Sequence, residues 1–131
     1  MAAIPDEAKH LFEGKELAHV ATLNADGSPQ VSAVWVGRDG DLITFNTAEG
    51  RVKTKNLHAN PSVAISITGE ENPYENLVAQ GKVVEMTHEG ADADIDALAK
   101  RYLGADSYPF RQPGEQRVTV KIEPEKVNYS G

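Results

Sequence analysis

The chain has 131 residues, a formal net charge of −7 and no cysteine. This length is enough for a core that needs no disulfide or metal, and we expect a single domain over residues 1–131. The absence of cysteine excludes a disulfide framework, a thiolate nucleophile and a cysteine-ligated metal. The acidic balance disfavours broad nucleic-acid binding, which needs a basic surface, so we expect no nucleic-acid partner.

The hydropathy of the chain indicates a soluble protein. Residues 1–9 lack the basic start and apolar core that are typical of a signal peptide. No apolar run approaches the ~18 residues that a membrane span requires. From these features we expect a cytoplasmic protein with no membrane span.

Short strand-like runs separated by tight turns dominate the sequence. Hydrophobic periodicity and turn signals predict, in chain order, a helix over Pro5–Glu13, strands over Leu17–Leu23, Pro29–Val36 and Leu42–Asn46, a short helix from Arg51 to about Asn60, strands over Ser62–Ile67 and Glu75–Met86, a helix over Ala91–Leu103 and a strand over Arg117–Ile122. Pro124 is expected to end the last strand or to place it at an edge. The first three strands, joined by tight turns, are typical of an antiparallel sheet or barrel.

Apolar side chains occur on both faces of the second predicted strand. Val31, Ala33 and Trp35 lie on one side, and Val34 and Val36 lie on the other. A sheet with only one buried face would alternate more cleanly. A small barrel whose exterior is also covered, by helices or by a second subunit, fits this pattern.

A concentration of positive charge follows the third strand. Residues 47–50 read as a turn into the short helix, which then brings Arg51, Lys53 and Lys55 close together. A helix N-terminus offers unpaired backbone N–H groups and the positive end of the peptide dipoles, so added cations make a phosphate site. The alternative is a solvated helix face without a ligand.

Catalytic constellations are sparse in this sequence. The four histidines share no metal-ligand spacing; they are His10, His19, His58 and His88. The alternating aspartates over residues 92–96 fit a solvated helix start better than a calcium loop, which needs its glycine and a closing glutamate. We therefore expect no metal site and assign no catalytic side chain. An anion site without an acid–base set suggests chemistry supplied by a cofactor.

Several segments together resemble a known family. They are Val20–Ser32, Val34–Val36, Gly50–Leu57, Pro73–Tyr74, Gly81–Glu85 and Arg101–Gly104. The chain, from about Pro5 to Val127, resembles the pyridoxamine 5′-phosphate oxidase-like split β-barrel superfamily. Within it the chain is similar to the actinobacterial flavin/deazaflavin oxidoreductase branch, whose members mostly use coenzyme F420. The resemblance implies a mainly β fold, an FMN-binding type of split antiparallel β-barrel with short helices.

The resemblance also implies a homodimer with the cofactor site at the subunit interface. It assigns residues to four parts of that site: Gly50, Arg51, Lys53 and Asn56 to the phosphate, Gln30, Val31, Ser32 and Ala33 to the ring, Asn46 and Thr47 to the ribityl chain, and Tyr74 and Gln80 to the part that the partner subunit closes. Surface cations at the pocket mouth would bind the oligoglutamate tail of F420, the candidates being Lys55, Lys100, Arg101 and Arg111.

The implied function is an F420H2-dependent reductase that transfers a hydride to an electron-poor, conjugated small molecule. The first alternative keeps the fold but binds FMN, as an oxidase or a flavin reductase. Deazaflavin does not carry out ordinary oxygen chemistry, so the cofactor decides the reaction. The second alternative is a non-catalytic flavin- or haem-binding protein, in which His19 or His58 would be the axial ligand.

Two features of the implied reaction stay open at the level of sequence. Tyr74, Tyr102 and Tyr108 each carry a hydroxyl that could supply the final proton. The irregular stretch Gly104–Glu115 is predicted to form a wall or lid of the substrate pocket, because long loops in compact domains are more often functional than idle. The alternative is that Tyr108 and Phe110 plug the end of the barrel.

Overall fold

A closed barrel of six antiparallel strands forms the centre of the structure, a computed structural model that describes residues Met1–Gly131. The elements are a 3₁₀ helix at Asp6–Phe12, β1 at Leu17–Leu23, β2 at Pro29–Asp39, β3 at Leu42–Ala48, α1 at Val52–Ala59, β4 at Ser62–Thr68, β5 at Asn76–Thr87, α2 at Ala91–Leu103 and β6 at Arg117–Ser130. The strand order around the barrel is β1-β2-β3-β6-β5-β4. The predicted fold class, a mainly β antiparallel barrel with short helices, is confirmed.

The barrel closes because β1 pairs with strands on both of its sides. Its edges meet β2 and β4, with Val20 opposite Ser32 on one side and Ile65 on the other. Alternate residues of the strands point inward and form one apolar core, in which Phe45 and Ile43 are almost completely buried. The N-terminal 3₁₀ helix packs against this core through buried apolar side chains.

The bounds of the predicted helices agree closely with the structure. The predicted helix Ala91–Leu103 has the same bounds as α2, which stops at Gly104 because that residue adopts a left-handed conformation with φ 70°. The predicted helix at Arg51 begins one residue later, with Arg51 as its N-cap. The N-terminal segment is helical as predicted, but as a 3₁₀ helix. No helix has both the length and the apolar character needed to cross a membrane.

The strands run further than their sequence patterns indicate. β3 continues through Thr47 and Ala48, where a turn was predicted, because both residues pair with the start of β6. Pro124 does not end the last strand, since β6 continues past it to Ser130. The other predicted alternative, an edge position, agrees with the structure, because the pairing of β6 with β3 stops at Ile122 and Pro124 pairs with β5 alone. A register shift between Gln80 and Gly81 lets β6 accommodate the missing N–H of proline opposite Gly81.

Gly81 is the residue that permits this close passage. A Cβ at position 81 would lie 2.1 Å from the carbonyl oxygen of Glu123 and 2.9 Å from the Cα of Pro124. Both atoms belong to the backbone of β6, which pairs with β5 before and after this point, at Glu123 and Lys126. Glycine is therefore required where β5 and β6 approach each other.

We expect Gly81→Ala to lower the free energy of unfolding by about 1–3 kcal/mol, because the added methyl group forces the two strands apart. Thermal and urea unfolding would measure the loss. The control is Gly37→Ala in β2, whose Cβ would meet side-chain atoms and no backbone, namely the hydroxyl oxygen of Thr44 at 3.0 Å and Nη2 of Arg101 at 3.6 Å. Equal stability of Gly81→Ala and the unchanged protein would contradict this account of the close approach between β5 and β6.

Candidate functional site

A cleft of about 180 Å³ lies where the barrel wall meets the start of α1, the side of α2 and the loop that follows α2. The side chains that line it are a mixture of apolar residues and cations: Leu17, Ala33, Val34, Trp35, Asn46, Arg51, Lys53, Ile95, Leu98, Tyr108, Phe110 and Arg117. This cleft, and not the larger cavity described next, combines unpaired positive charge with an aromatic wall.

The larger cavity, of about 600 Å³, lies between α2 and the outer face of β2 and β3. Its cations already have partners. Arg38 pairs with Glu13 and Lys121 with Asp39. Arg101 donates to backbone carbonyl groups. We therefore take the smaller cleft as the candidate site.

Three cations meet at one side of the cleft, and we call Arg51, Lys53 and Arg117 the cation cluster. Arg51 is the N-cap of α1, Lys53 is in its first turn, and Arg117 is the first residue of β6. Lys53 is 8% exposed and has no carboxylate partner. Burial, reinforced by the positive charges of Arg51 and Arg117, lowers the pKa of Lys53 below its ordinary value. A buried cation without a partner is costly, and a bound anion would remove that cost.

Arg117 is held rigidly within the cluster. Its Nη1 lies 3.0 Å from Oε1 of Glu115, and its Nε donates to Oδ1 of Asn46 at 2.8 Å. Asn46 in turn donates from Nδ2 to the carbonyl of Ala91, at 2.9 Å. The Nη2 of Arg51 lies 4.0 Å from Oε2 of Glu115. One carboxylate thus pairs with two of the three cations, and the cluster keeps a positive balance.

Sequence reasoning did not identify Arg117 as a site residue. Residues 117–122 alternate as a barrel strand, and Arg117 stands at the start of the strand with its side chain almost completely buried. The available sequence signal for Arg117 was a charged residue at the start of an otherwise apolar strand. Arg117 lies 64 residues after Lys53 in the sequence, so the spacing of residues along the chain could not reveal that both belong to one cluster.

Three aromatic side chains also line the cleft, and we call Trp35, Tyr108 and Phe110 the aromatic wall. The ring of Tyr108 packs edge-on against Trp35, with centroids 6.0 Å apart, and against Phe110, at 5.7 Å. The guanidinium carbon of Arg117 lies 4.9 Å from the centre of the Tyr108 ring. Phe110 is 59% exposed, so it does not plug the barrel.

Ion pairs fasten the loop that carries this wall to α2. The two terminal nitrogens of Arg111 lie 2.8 Å from carboxylate oxygens of Asp92 and Asp96. Asp96 also accepts a hydrogen bond from the backbone N–H of Tyr108 at 2.8 Å. Arg111, a candidate for binding an oligoglutamate tail, is therefore already paired. The loop has no regular secondary structure, yet its path is fixed by these contacts.

The structure brings four of the predicted site residues to the cleft: Ala33, Asn46, Arg51 and Lys53. Gly50 supplies the turn before α1, with φ 91°. Thr47 is fully buried, and its hydroxyl lies 3.0 Å from that of Thr54. In the single chain, Thr47 therefore fastens the end of β3 to α1.

Gln30, Val31 and Ser32 lie on β2 just before Ala33 and do not line the cleft. Gln30 accepts a hydrogen bond from Thr22 at 3.2 Å. Val31 is largely exposed. The hydroxyl of Ser32 is buried without a hydrogen-bond partner, so it is available to a ligand that reaches it.

Asn56, Tyr74 and Gln80 also lie away from the cation cluster within one chain. The amide of Asn56 donates to Thr22 at 3.0 Å and to Asn24 at 2.9 Å, which holds α1 against the turn between β1 and β2. Tyr74 is 84% exposed in the β4–β5 loop, and Gln80 is exposed on β5. Their assignment to a cofactor site stays a prediction that depends on a second subunit.

Tyr102 and Arg101 hold the framework together. The Tyr102 hydroxyl donates to the carbonyl of Glu16 and accepts from the N–H of Val36 at 3.1 Å. Burial raises the pKa of Tyr102. Arg101 donates to the carbonyls of Phe12 and Val36. Because its hydroxyl is already occupied, Tyr102 is not placed to give a proton to a substrate, and Arg101 is not a free surface cation.

None of the four histidines lines the cleft. His58 and His88 both bond to the carboxylate of Glu49, at 2.9 and 2.7 Å. These hydrogen bonds, first from His88 and then from His58, lower the pKa of Glu49. His10 bonds to Glu75 in a separate contact. Among the tyrosines considered as proton donors, Tyr108 is the one that lines the cleft.

Comparison with solved structures supports the barrel assignment. A protein described as an F420 reductase is 31% identical, with a TM-score of 0.82, over 95% of this chain and 98% of that one. A conserved hypothetical protein from Mycobacterium tuberculosis is 19% identical, with a TM-score of 0.76, over 98% of this chain and 85% of that one. A putative pyridoxamine 5′-phosphate oxidase from Listeria innocua is 20% identical, with a TM-score of 0.71, over 95% of both chains.

The family comparison covers almost the whole sequence. The pyridoxamine 5′-phosphate oxidase family matches residues 4–131. This match confirms the resemblance inferred from the sequence, and its span includes every strand of the barrel and the whole cation cluster. The chain therefore belongs to the pyridoxamine 5′-phosphate oxidase family.

Proposed function

We propose that this protein binds coenzyme F420 and uses its reduced form to transfer a hydride to an electron-poor, conjugated small molecule. The observation that carries the proposal is the buried, unpaired ammonium of Lys53, which shares the cleft with two arginines and an aromatic wall. The 31% identity to an F420 reductase, over nearly all of both chains, supports this choice of cofactor.

The residues of the cleft fit the phosphate of such a cofactor. Lys53 and Arg51 stand at the start of α1, where the helix dipole also favours negative charge. Charge-assisted hydrogen bonds to phosphate are stronger than neutral ones, and the low exposure of Lys53 increases their effect. In this proposal Lys53 and Arg51 bind the phosphate, while Arg117 and Asn46 position the cluster.

The aromatic wall fits a planar, conjugated substrate beside the cofactor. The reduced form of F420, when bound, would supply the hydride, and hydride transfer needs a dry, oriented contact more than a catalytic side chain. Trp35 and Phe110 would exclude water and orient the substrate. The hydroxyl of Tyr108 would donate the proton that completes the reduction.

We also propose that the active form is a homodimer. Several valines are exposed on the strands and on α1, including Val31, Val52 and Val84. A second subunit that covered them would bury apolar surface that water otherwise contacts. It would also bring its own Tyr74 and Gln80 towards the site, as the resemblance implies.

FMN is the second candidate cofactor, because the family is that of pyridoxamine 5′-phosphate oxidase and because a cation cluster accepts a flavin phosphate equally well. The protein would then act as an oxidase or a flavin reductase. Non-catalytic flavin or haem binding has less support. His58 is bonded to Glu49, and neither His58 nor His19 lines the cleft, so the cleft offers haem no axial histidine.

Titration with F420, FMN and haem in parallel tests the choice of cofactor. We expect F420 fluorescence to be quenched on binding, and we expect turnover of an electron-poor substrate, such as a conjugated enone, to depend on reduced F420. Tight binding of FMN, giving a yellow protein, together with no response to F420 would replace the first candidate by the second.

Lys53→Ala is expected to weaken cofactor binding by about 10- to 150-fold, because it removes one charge-assisted contact worth about 1.5–3 kcal/mol. Fluorescence titration would measure the dissociation constant. The matched control is Lys55→Ala, since Lys55 is exposed on the same helix and does not line the cleft. Equal dissociation constants for both variants and the unchanged protein would show that the cluster does not bind the phosphate.

Phe110→Ala is expected to change the preference among substrates while cofactor affinity and melting temperature stay nearly unchanged, because Phe110 is mostly exposed at the cleft. Competition between a small and a bulky substrate would measure the preference. The control is Phe12→Ala: Phe12 is buried in the core, and its loss should cost about 3–5 kcal/mol of stability. An unaltered preference in Phe110→Ala would remove the wall from the substrate site.

A further inference from the structure

A carboxylate lies within the cation cluster itself. The side chain of Glu115 is 8% exposed, with Oε1 on Arg117 at 3.0 Å and Oε2 on Arg51 at 4.0 Å. The cluster of three cations therefore keeps two positive charges that Glu115 does not neutralise. An anion that binds beside Lys53 comes close to this carboxylate and is repelled by it.

The two contacts of Glu115 differ in strength and in surroundings. Arg117 is almost completely buried and is also held by Asn46 at 2.8 Å, so its pair with Glu115 is fixed. Arg51 is about half exposed, and its 4.0 Å contact with Glu115 is the longest ion pair in the structure. Arg51 is therefore the cation that an incoming anion can take from Glu115.

We propose that Glu115 is a specificity-determining residue that competes with the ligand's phosphate for Arg51 and so sets the affinity of the site for anions. The proposal rests on the anion-binding part of the proposed function and is independent of which flavin-type cofactor is bound. With Glu115 in place, a ligand has to offer enough negative charge to draw Arg51 away and to satisfy Lys53. Glu115 thus lowers the affinity of the site for anions, most strongly for the ligand with the highest charge, and leaves the binding of phosphate-free ligands unchanged.

Glu115 also stands at the end of the loop that carries the aromatic wall. Its neighbour in the cluster, Arg117, lies over the ring of Tyr108 at 4.9 Å. The same short segment therefore adjusts the charge of the anion site and fixes one face of the wall. A substitution at position 115 that keeps hydrogen bonding but removes charge separates the two effects.

The test is Glu115→Gln, which keeps a hydrogen-bond acceptor for Arg117 and removes the negative charge. Binding of inorganic phosphate, measured by calorimetry, is expected to become about tenfold tighter, since one repulsive unit charge nearby has been removed. Binding of FMN and F420 should tighten similarly, whereas riboflavin and the phosphate-free deazaflavin should bind as before. The control is Asp106→Asn, an exposed carboxylate on the same loop with no ion pair, for which phosphate affinity should not change.

Two results would overturn the proposal: phosphate affinity that is unchanged or weaker in Glu115→Gln, or an equal gain in Asp106→Asn.

A second pair of variants tests the competition if Glu115→Gln does not fold. Because Glu115 already holds Arg51, Arg51→Gln should cost less phosphate affinity than Lys53→Gln. An equal or larger loss in Arg51→Gln would contradict the competition. Binding of inorganic phosphate reports on the cation cluster even if neither F420 nor FMN is the cofactor. Failure of the proposed function can therefore be distinguished from failure of the proposal for Glu115.

Discussion

The cost of burying an ammonium group without an anionic partner is the constraint on which the site depends. Lys53 is buried because α1 packs on the barrel through Leu57 and Thr54, which fixes the first turn of the helix at the cleft. Folding thus places one positive charge where two arginines raise its energy further. Apolar packing elsewhere in the barrel offsets that cost, and a bound anion would reduce it.

Most of the fold could be predicted from the sequence because its periodicities are strong and local. The helix Ala91–Leu103 was predicted with its observed bounds, since its apolar spacing ends at a glycine that takes a left-handed conformation. The strand ends were predicted less well. β3 and β6 extend beyond the residues whose apolar and polar side chains alternate, because backbone pairing with neighbouring strands continues there. The accommodation of Pro124 within β6 depends on Gly81, which lies in a different strand.

The candidate site could be predicted only where it is local in sequence. Arg51 and Lys53 follow one turn and one helix start, so a single segment reveals them. Arg117 and Glu115 join them from the far end of the chain through the pairing of β3 with β6. No spacing rule connects residue 53 with residue 117. Tyr74 and Gln80 lie outside the cleft of one chain, and the role predicted for them would require a second subunit.

The structure also separates two uses of neighbouring aromatic residues. Trp35 contacts both Tyr102 and Tyr108. The ring of Tyr102 stacks on Trp35 with centroids 5.2 Å apart, and the ring of Tyr108 packs edge-on with centroids 6.0 Å apart. The hydroxyl of Tyr102 already makes two hydrogen bonds, which connect α2 to β2 and to the segment before β1. Tyr108, held by its backbone to Asp96, keeps its side chain at the cleft. Tyr102 thus fixes the aromatic wall to the barrel. Because the wall is rigid, Tyr108 is free to contact a ligand.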